Sequence, residues 1–341
     1  MRKDLYSAID LHSNNSYLAI IDSDDKVVYQ RRLKNDLGLI LEKLEPYRER
    51  LVSTAVESTF NWYWLVDGLI DAGYEAELVN TSAVKQYAGL KHTDDRHDAI
   101  HLAHLRRLGI LPTGYIIPRE QRAIRDLARK RMQLVQYRTG LILSVQNIQQ
   151  RSLGGRMSTT QIKSQNVESI AATVSNAHVA MALGSTQAII ISLSEEIRKI
   201  ERELLSQVRP NEAWKRLTTV WGVGKILGTV IMLETGPIDR FDAVGNYASY
   251  CRCVKAGRFS NGRKKAENNT KNGNAYLSWA FVEAAQFAIR DYPIANAWYH
   301  KKLAKVHKSV IARKALAHKL ARAAYHVVRD QVPFKPELLF R

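Results

Sequence analysis

The first 80 residues contain the pattern that most restricts the fold. Three short β-rich runs at residues 6–10, 17–22 and 27–32 are separated by turn-forming residues and predict an antiparallel meander. Asp36 is placed to cap a helix that runs to Arg48, and the next strand ends at Glu57. A helix over 61–72 and a strand over 76–80 follow. This order predicts an α/β domain.

Four acids occupy positions where such a sheet presents catalytic side chains. Asp10 and Glu57 each end an apolar strand, while Asp95 and Asp98 open a helix and share one of its faces. Clustered carboxylates repel one another unless hard divalent cations lie between them. The acids therefore predict a two-metal phosphodiester site that binds Mg²⁺ or Mn²⁺. The alternative is four separate solvated acids, because Asp is favourable at any helix N-terminus.

The positive charge is concentrated in the later part of the chain. The 341 residues carry a net charge of +18, yet residues 1–118 hold 14 Lys and Arg against 17 Asp and Glu. Residues 119–341 hold 37 against 16, which predicts a platform for a polyanion. A basic protein without such a partner is the alternative. No apolar run approaches the roughly 20 residues of a membrane span, so we expect a cytoplasmic protein without a membrane partner.

Helical heptads follow the first domain and predict a coiled-coil region. Apolar residues recur every seven positions at Leu127, Leu134, Leu141 and Ile148, beside Ile124 and Val145. A second series comprises Ile190, Leu193, Ile197, Ile200 and Leu204. The two helices are expected to pair as an antiparallel arm or with a second subunit, and an ordinary helical bundle is the alternative. The predicted domains are therefore residues 1–112, 113–212 and 213–341.

The last domain combines a glycine-containing turn with a basic loop. Gly222, Gly224 and Lys225 precede a helix in the manner of a helix-hairpin-helix element, whose backbone amides can hold a phosphate. Further expected nucleic-acid contacts are Arg258, Arg263, Lys264, Lys265 and Lys271. Helices are predicted over 275–291 and 295–331. Cys251 and Cys253 are too close in sequence for an easy disulfide and are expected to pack in the core.

The first domain resembles the RNase H-like, RuvC-like nuclease fold in its order of elements and in its acids. Actin-like sugar kinases begin with a similar meander, but His12 stands where their phosphate loop needs glycine. The aromatic run at residues 60–64 is interpreted as helix core, with a stacking platform for unpaired bases as the alternative.

The whole chain resembles the DEDD transposases of insertion-sequence family one hundred and ten. The matching motifs are Asp10, Glu57, the run from Lys91 to Ala103, Gly222-Val-Gly224, Arg240-Phe241, Ser260-Asn-Gly262 and Thr270-Lys-Asn-Gly273-Asn274. The resemblance implies metal ligands at Asp10, Glu57, Asp95 and Asp98, and a nucleophile at Ser260 in a mainly helical transposase domain. It also implies donor and target double-stranded DNA, a structured bridge RNA as guide, a dimer or tetramer, and action at the bacterial nucleoid.

The sequence thus predicts a site-specific transposase that cuts and rejoins DNA through a covalent serine–DNA intermediate with help from divalent metal. Arg258 and Arg263 flank Ser260 and could stabilise charge on an attacked phosphate. Two alternatives remain open. A Holliday-junction nuclease would use the acids with water as nucleophile, and a non-catalytic binding protein would need only the basic domain.

Overall fold

The computed structural model describes residues 4–84, 95–209, 211–254, 257–260, 263–267 and 272–340; for residue 95 and the strands within 257–267 it describes the backbone alone. The chain divides into two compact units, Met1–Arg119 and Glu120–Arg341. The first unit is a mixed α/β sheet domain and the second is mostly helical. The predicted α/β-plus-α class is confirmed at this level.

The first unit is a sheet with helices on both faces. Its strands are β1 Leu5–Leu11, β2 Asn15–Ile21, β3 Val27–Lys34, β4 Leu51–Glu57, β5 Ala76–Val79 and β6 Thr113–Gly114. Its helices are α1 Leu37–Leu44, α2 Tyr63–Asp71 and α3 Asp95–Arg107. The sheet order is β3-β2-β1-β4-β5-β6, with β1 to β3 antiparallel, β4 parallel to β1 and β5 parallel to β4. The predicted meander and alternation are confirmed, and the two-residue edge strand β6 was not predicted.

Helix α1 is shorter than the sequence pattern indicates. Asp36 caps it as predicted, since its Oδ1 accepts a hydrogen bond of 2.9 Å from Leu39 N. The α-helix ends at Leu44 rather than Arg48, and Glu45–Arg50 form a 3₁₀-helix. Pro46 explains the change, because it has no N–H with which to continue the i to i−4 ladder.

The two faces of the sheet are covered by different helices. Leu5 and Ile9 of β1 pack in the core that includes residues of α1 and α2, whereas Ala8 packs in the core that includes residues of α3. This follows from the period of two in strand side chains. Every second residue of β1 and β4 therefore faces α3.

The second unit is built from helices and one hairpin. The helices are α4 Arg119–Leu153, α5 Thr159–Ser164, α6 Val167–Ala171, α7 Ala177–Val208, α8 Glu212–Leu217, α9 Lys225–Thr235, α10 Val244–Tyr250, α11 Ala275–Asp291, α12 Pro293–Val306 and α13 Ser309–Arg329. The hairpin pairs β7 Gly257–Ser260 with β8 Arg263–Glu267. The helix predicted over 295–331 is wrong in one respect: His307, at φ +52°, ends α12 and separates it from α13.

Helices α4 and α7 pack against each other as an antiparallel arm. Arg131 Nη2 lies 2.5 Å from Glu201 Oε1, and Arg138 Nη1 donates to Ser194 Oγ at 3.1 Å. Residue numbers therefore increase along α4 in the direction in which they decrease along α7. The predicted α7 seam is confirmed, because Ile190, Ile197 and Leu204 are buried. The predicted residues Leu127, Leu141 and Ile148 of α4 are half-buried and pack against the cores, and the predicted Val145 is fully buried. The other buried positions of α4 include Ala128, Ile142 and Gln149, each one residue after a predicted position.

Helix α7 is long and apolar enough to cross a membrane by length and composition, although no such span was expected. One such helix is weak evidence, because helices of soluble proteins pass the same test.

The core of the second unit lies between α9, α10, α11 and α13. Its largest fully buried side chains are Tyr247, Phe281 and Tyr325. Cys251 and Cys253 are buried free thiols in this core, which confirms their predicted packing role. Burial raises the pKa of Cys253 to about 12, so this thiol stays protonated and unreactive.

Candidate active site

Strand register places Asp10 and Glu57 side by side. In the parallel pair β1 and β4, Ile9 lies opposite Val56, and the acids are the next residue on each strand. Ala8 and Ala55, two positions earlier, both pack in the core below α3. Because side chains alternate along a strand, Asp10 and Glu57 face α3 at the carboxyl end of both strands.

Helix α3 brings Asp98 to the same edge. The helix buries Ala99, Leu102 and Ala103 against the sheet, and Asp98 precedes this apolar stripe by one residue. Polar contacts hold the helix in place. Arg106 Nε lies 2.6 Å from Glu77 Oε2 of β5, and Arg107 pairs with Asp25 in the turn after β2.

The pKa of Glu57 indicates that its carboxyl lies close to those of Asp10 and Asp98. Its pKa is raised from an ordinary value of 4.5 to about 8, first by burial, then by a hydrogen bond and the charge of Asp10, and last by the charge of Asp98. Like charges disfavour ionisation of a neighbouring carboxyl. The structure therefore joins Asp10, Glu57 and Asp98 electrostatically. The side chain of Asp95, the fourth predicted ligand, lies outside the described residues.

Asp10 is buried in a way that suits a cation ligand. Its side chain is 4% exposed, and Oδ2 makes no hydrogen bond within the described part of the chain. His12 Nε2 lies 3.2 Å from this oxygen without hydrogen-bond geometry. A buried carboxylate oxygen without a donor is costly, and a hard divalent cation would satisfy it. The carboxylate oxygens are thus suitable ligands for such a cation. Among the described residues, however, no three His, Cys, Asp or Glu side chains form a group that could hold a metal ion.

Two neighbours of the acids carried no clear sequence signal. His12 follows β1, and its carbonyl oxygen accepts hydrogen bonds from Asn35 Nδ2 at 2.9 Å and Asn61 Nδ2 at 3.0 Å. Phe60, three residues after Glu57, is 83% exposed, so the helix-core interpretation is wrong for this residue. Trp62 and Trp64 do pack on the core, as predicted. Only the exposure seen in the fold separates Phe60 from these tryptophans.

Two glycines lie in the turn between α8 and α9, where the sequence predicts a helix-hairpin-helix element. Gly222 lies between α8 and α9 at φ +75°, and a Cβ on it would lie 2.0 Å from Ala284 O. The turn can therefore approach α11 this closely only with glycine at position 222. Gly224 is the N-cap of α9, and a Cβ there would have no heavy atom within 4 Å among the described residues. Lys225 begins the helix. A phosphate contact by these residues stays a prediction.

Ser260 ends β7 in the hairpin of the second unit. Arg258 lies on the same strand, and Arg263, Lys264 and Lys265 begin β8. The side chains of these five residues, and the whole of Lys271, lie outside the described residues. Their catalytic and binding roles stay predictions. Exposed cations also lie on α12, on α13 and between these helices, namely Lys301, Lys305, Lys308, Lys314, Arg322 and Arg329.

Comparison with known proteins finds two family models that match this chain. A family model for DEDD transposases of IS110, described as a transposase, matches residues 8–151. A second model, described as a transposase of the IS116/IS110/IS902 family, matches residues 214–300. Together the two matches span more than half of the chain.

Three bacterial transposases are similar to this chain in sequence. A probable family 20 transposase of Pseudomonas aeruginosa is 23% identical and covers 93% of this chain and 94% of its own. The IS1328 transposase of Yersinia enterocolitica is 26% identical over 42% of this chain and 43% of its own. The IS1111A transposase of Coxiella burnetii is 21% identical over 83% of this chain and 77% of its own.

Proposed function

Since this chain belongs to the IS110 family of insertion-sequence transposases, we propose that it is a site-specific recombinase that cuts and rejoins DNA through a covalent bond to Ser260. One observation carries the proposal. Burial of Glu57 of β4, together with the hydrogen bond and charge of Asp10 of β1 and the charge of Asp98 of α3, raises the pKa of Glu57 to about 8, which supports a shared site for these three acids. This is the donor set expected for phosphoryl-transfer chemistry.

The acids would hold Mg²⁺ or Mn²⁺, with Asp10, Glu57 and Asp98 as ligands and Asp95 as the fourth. Such a cation, when bound, supplies charge stabilisation to the attacked phosphate and lowers the pKa of a coordinated hydroxyl. The chain contributes the rigid placement of the ligands. Asp10 and Glu57 are fixed by the parallel register, and Asp98 is fixed by the packing of α3 on the sheet.

Ser260 provides the nucleophile in this proposal. Its Oγ attacks the phosphorus of the scissile phosphodiester and displaces a deoxyribose oxygen, which leaves as a hydroxyl after taking up a proton. A hydroxyl of the strand to be joined then attacks the phosphoserine and regenerates the serine. Arg258, Arg263, Lys264 and Lys265 are placed by sequence to stabilise the additional negative charge on the phosphate.

The partners belong to the same proposal. The excess of 37 Lys and Arg over 16 Asp and Glu in residues 119–341 supports binding of two DNA duplexes and of a structured guide RNA. The recombinase acts as a dimer or tetramer on nucleoid DNA in the bacterial cytoplasm. The acids and Ser260 lie in different compact units of the chain, so an oligomer has several ways to assemble a complete site.

A suicide DNA substrate, whose cleaved strand diffuses away, tests the proposal. We expect a covalent protein–DNA adduct that requires Mg²⁺ or Mn²⁺ and is lost in Ser260→Ala. Ser249→Ala, which removes an exposed hydroxyl from α10, is the matched control and should form the adduct normally. Cleavage without an adduct would instead support a nuclease that uses water. DNA binding without cleavage would support a non-catalytic binding protein.

A further inference from the structure

Glu234 lies at the centre of a buried polar cluster in the second unit. Its side chain on α9 is 2% exposed, and a carboxylate so far from water needs strong partners. Arg129 of α4 provides two hydrogen bonds, from Nε to Oε1 at 2.5 Å and from Nη2 to Oε2 at 2.7 Å. Burial tends to lower the pKa of Arg129, but the hydrogen bonds and charge of Glu234 raise it above its usual value. The two side chains therefore form an ionised pair.

Asn274 provides the third contact and connects the pair to the start of α11. Its Nδ2 donates to Glu234 Oε2 at 2.7 Å, while its Oδ1 caps the helix by accepting from Tyr276 N at 2.8 Å and Leu277 N at 3.0 Å. The two ends of the amide thus have separate functions. A serine would cap the helix as well, so the cap alone does not explain why an amide is present.

The same asparagine lies where the chain returns from the β7–β8 hairpin. Asn274 N donates to Tyr250 O at 2.6 Å, and Arg252 Nε donates to Gly273 O at 3.0 Å. Gly273 has φ +84°, and a Cβ on it would lie 2.5 Å from Tyr250 O. The residues that enter and leave the hairpin are therefore joined directly. We call this set, Tyr250, Arg252, Gly273 and Asn274, the hairpin root.

We propose that Glu234, held by Arg129, is a positioning residue that fixes Asn274 and thereby the hairpin root, whose residues precede and follow in sequence the hairpin that carries Ser260. The proposal rests on the proposed role of Ser260 as nucleophile. Desolvation offsets most of the attraction in a buried ion pair, so such a pair contributes more to orientation than to stability. Because Arg129 lies on α4, the pair also connects the root to the helical arm.

Two variants separate positioning from simple stabilisation. Asn274→Ser keeps a capping oxygen and removes the amide that reaches Glu234. Its matched control is Asn176→Ser at the exposed N-cap of α7, where Oδ1 also accepts two backbone hydrogen bonds, from His178 N and Val179 N. The second variant combines Arg129→Met with Glu234→Leu. It replaces the ion pair by apolar side chains of similar volume, a change that buried pairs often tolerate in stability.

The measurements are thermal unfolding, DNA affinity, hydrogen exchange of the β7 and β8 amides, and the rate of adduct formation. We expect the double variant to melt close to the Asn176→Ser control, whereas Asn274→Ser should melt lower, because it removes a hydrogen bond from a buried carboxylate. The DNA affinity of both variants should match that of the control. Hydrogen exchange in β7 and β8 should become faster. Adduct formation should slow by roughly 10- to 100-fold, as small displacements of reacting groups can cause.

The outcomes distinguish the two proposals. Exchange and adduct rates equal to those of the control, in either variant that folds, would overturn the positioning role of Glu234. Absence of an adduct in the unmodified protein would refute the role of Ser260. The exchange measurement needs no DNA and still decides whether Glu234 and Asn274 hold the hairpin root.

Discussion

The Glu57 carboxyl shows how one side chain depends on residues distant in sequence. Burial is the largest cause of its raised pKa, and the other causes are Asp10, on β1, and Asp98, on α3. Each neighbour destabilises the ionised form of Glu57. A bound divalent cation would reverse this effect, because it binds the ionised form.

Glu57 therefore makes the stability of the metal-free protein depend on pH. Its pKa is about 8 in the fold against an ordinary value of 4.5, so the contribution to stability is full below pH 4.5 and is lost as the pH rises through 8. We expect Glu57→Gln to melt at a higher temperature than the unmodified protein at pH 8 and at a similar temperature at pH 4.5. Thermal unfolding across this range tests the expectation.

The same melting experiment tests the metal site. Mg²⁺ should stabilise the unmodified protein at pH 8 and should have little effect on Glu57→Gln. Glu75→Gln, at an exposed acid before β5, is the control and should behave like the unmodified protein. Equal stabilisation of Glu57→Gln by Mg²⁺ would remove Glu57 from the ligand set.

Individual elements depend on single residues where backbones come close or where two helices meet. Gly222 permits the turn before α9 to approach α11, whereas Gly140 lies within α4 where a Cβ would meet no described heavy atom within 4 Å. The two glycines therefore differ in what they do for their elements. One is required by contact, and the other only weakens its helix.

A pair of alanine substitutions measures this difference. Gly222→Ala should destabilise the protein by more than about 2 kcal/mol, because it combines a positive φ with a backbone clash. Gly140→Ala should stabilise it by about 0.5 to 1 kcal/mol, because alanine is favoured in helix interiors. Chemical denaturation gives both values. A neutral Gly222→Ala would contradict the close packing of this turn on α11.

The contact face of α4 makes a similar test possible for the arm. Ile142 is 3% exposed, while its neighbour Leu143 is 51% exposed. Ile142→Ala should cost about 2 to 4 kcal/mol, as for other buried aliphatic side chains, and Leu143→Ala should cost less than about 0.5 kcal/mol. Denaturation of the two variants measures the difference. Equal losses would mean that α4 does not pack on α7 through the face described.

At the level of the whole chain, the separation of charge supports the different roles proposed for the two units. The first 118 residues hold more acids than bases, as a site for cations requires, whereas the rest holds a large basic excess. Polyanion binding by such an excess releases counterions and depends strongly on salt.

DNA affinity should therefore fall steeply as salt rises. Lys305→Ala and Lys308→Ala, at exposed positions at the end of α12 and just after it, should each reduce the slope of log affinity against log salt by about 1. Lys26→Ala, in an exposed turn of the first unit, should leave the slope unchanged. Fluorescence anisotropy with labelled DNA over a range of salt concentrations makes the comparison. A slope that is insensitive to both substitutions, Lys305→Ala and Lys308→Ala, would place the DNA elsewhere.

Local patterns in the chain were sufficient for most elements and for the choice of acids. Strand alternation, the Asp36 cap and the helix over Ala275–Asp291 depend on residues near one another in sequence, and all were predicted. The acids at strand ends were also recognisable, because an open sheet presents functional groups at its carboxyl edge. The metal-ligand and nucleophile roles of those residues stay predictions.

Features that depend on distant residues required the folded chain. The contact face of α4 is set by where α7 lies, and the break at His307 by the packing of α12 and α13 as separate helices. No local signal in the sequence separates the exposed Phe60, near Glu57, from the half-buried Trp62 and Trp64 that follow. Glu234 is 105 residues from Arg129 and 40 from Asn274, so no spacing rule connects them. Their contact arises only from long-range packing, which local propensity does not encode.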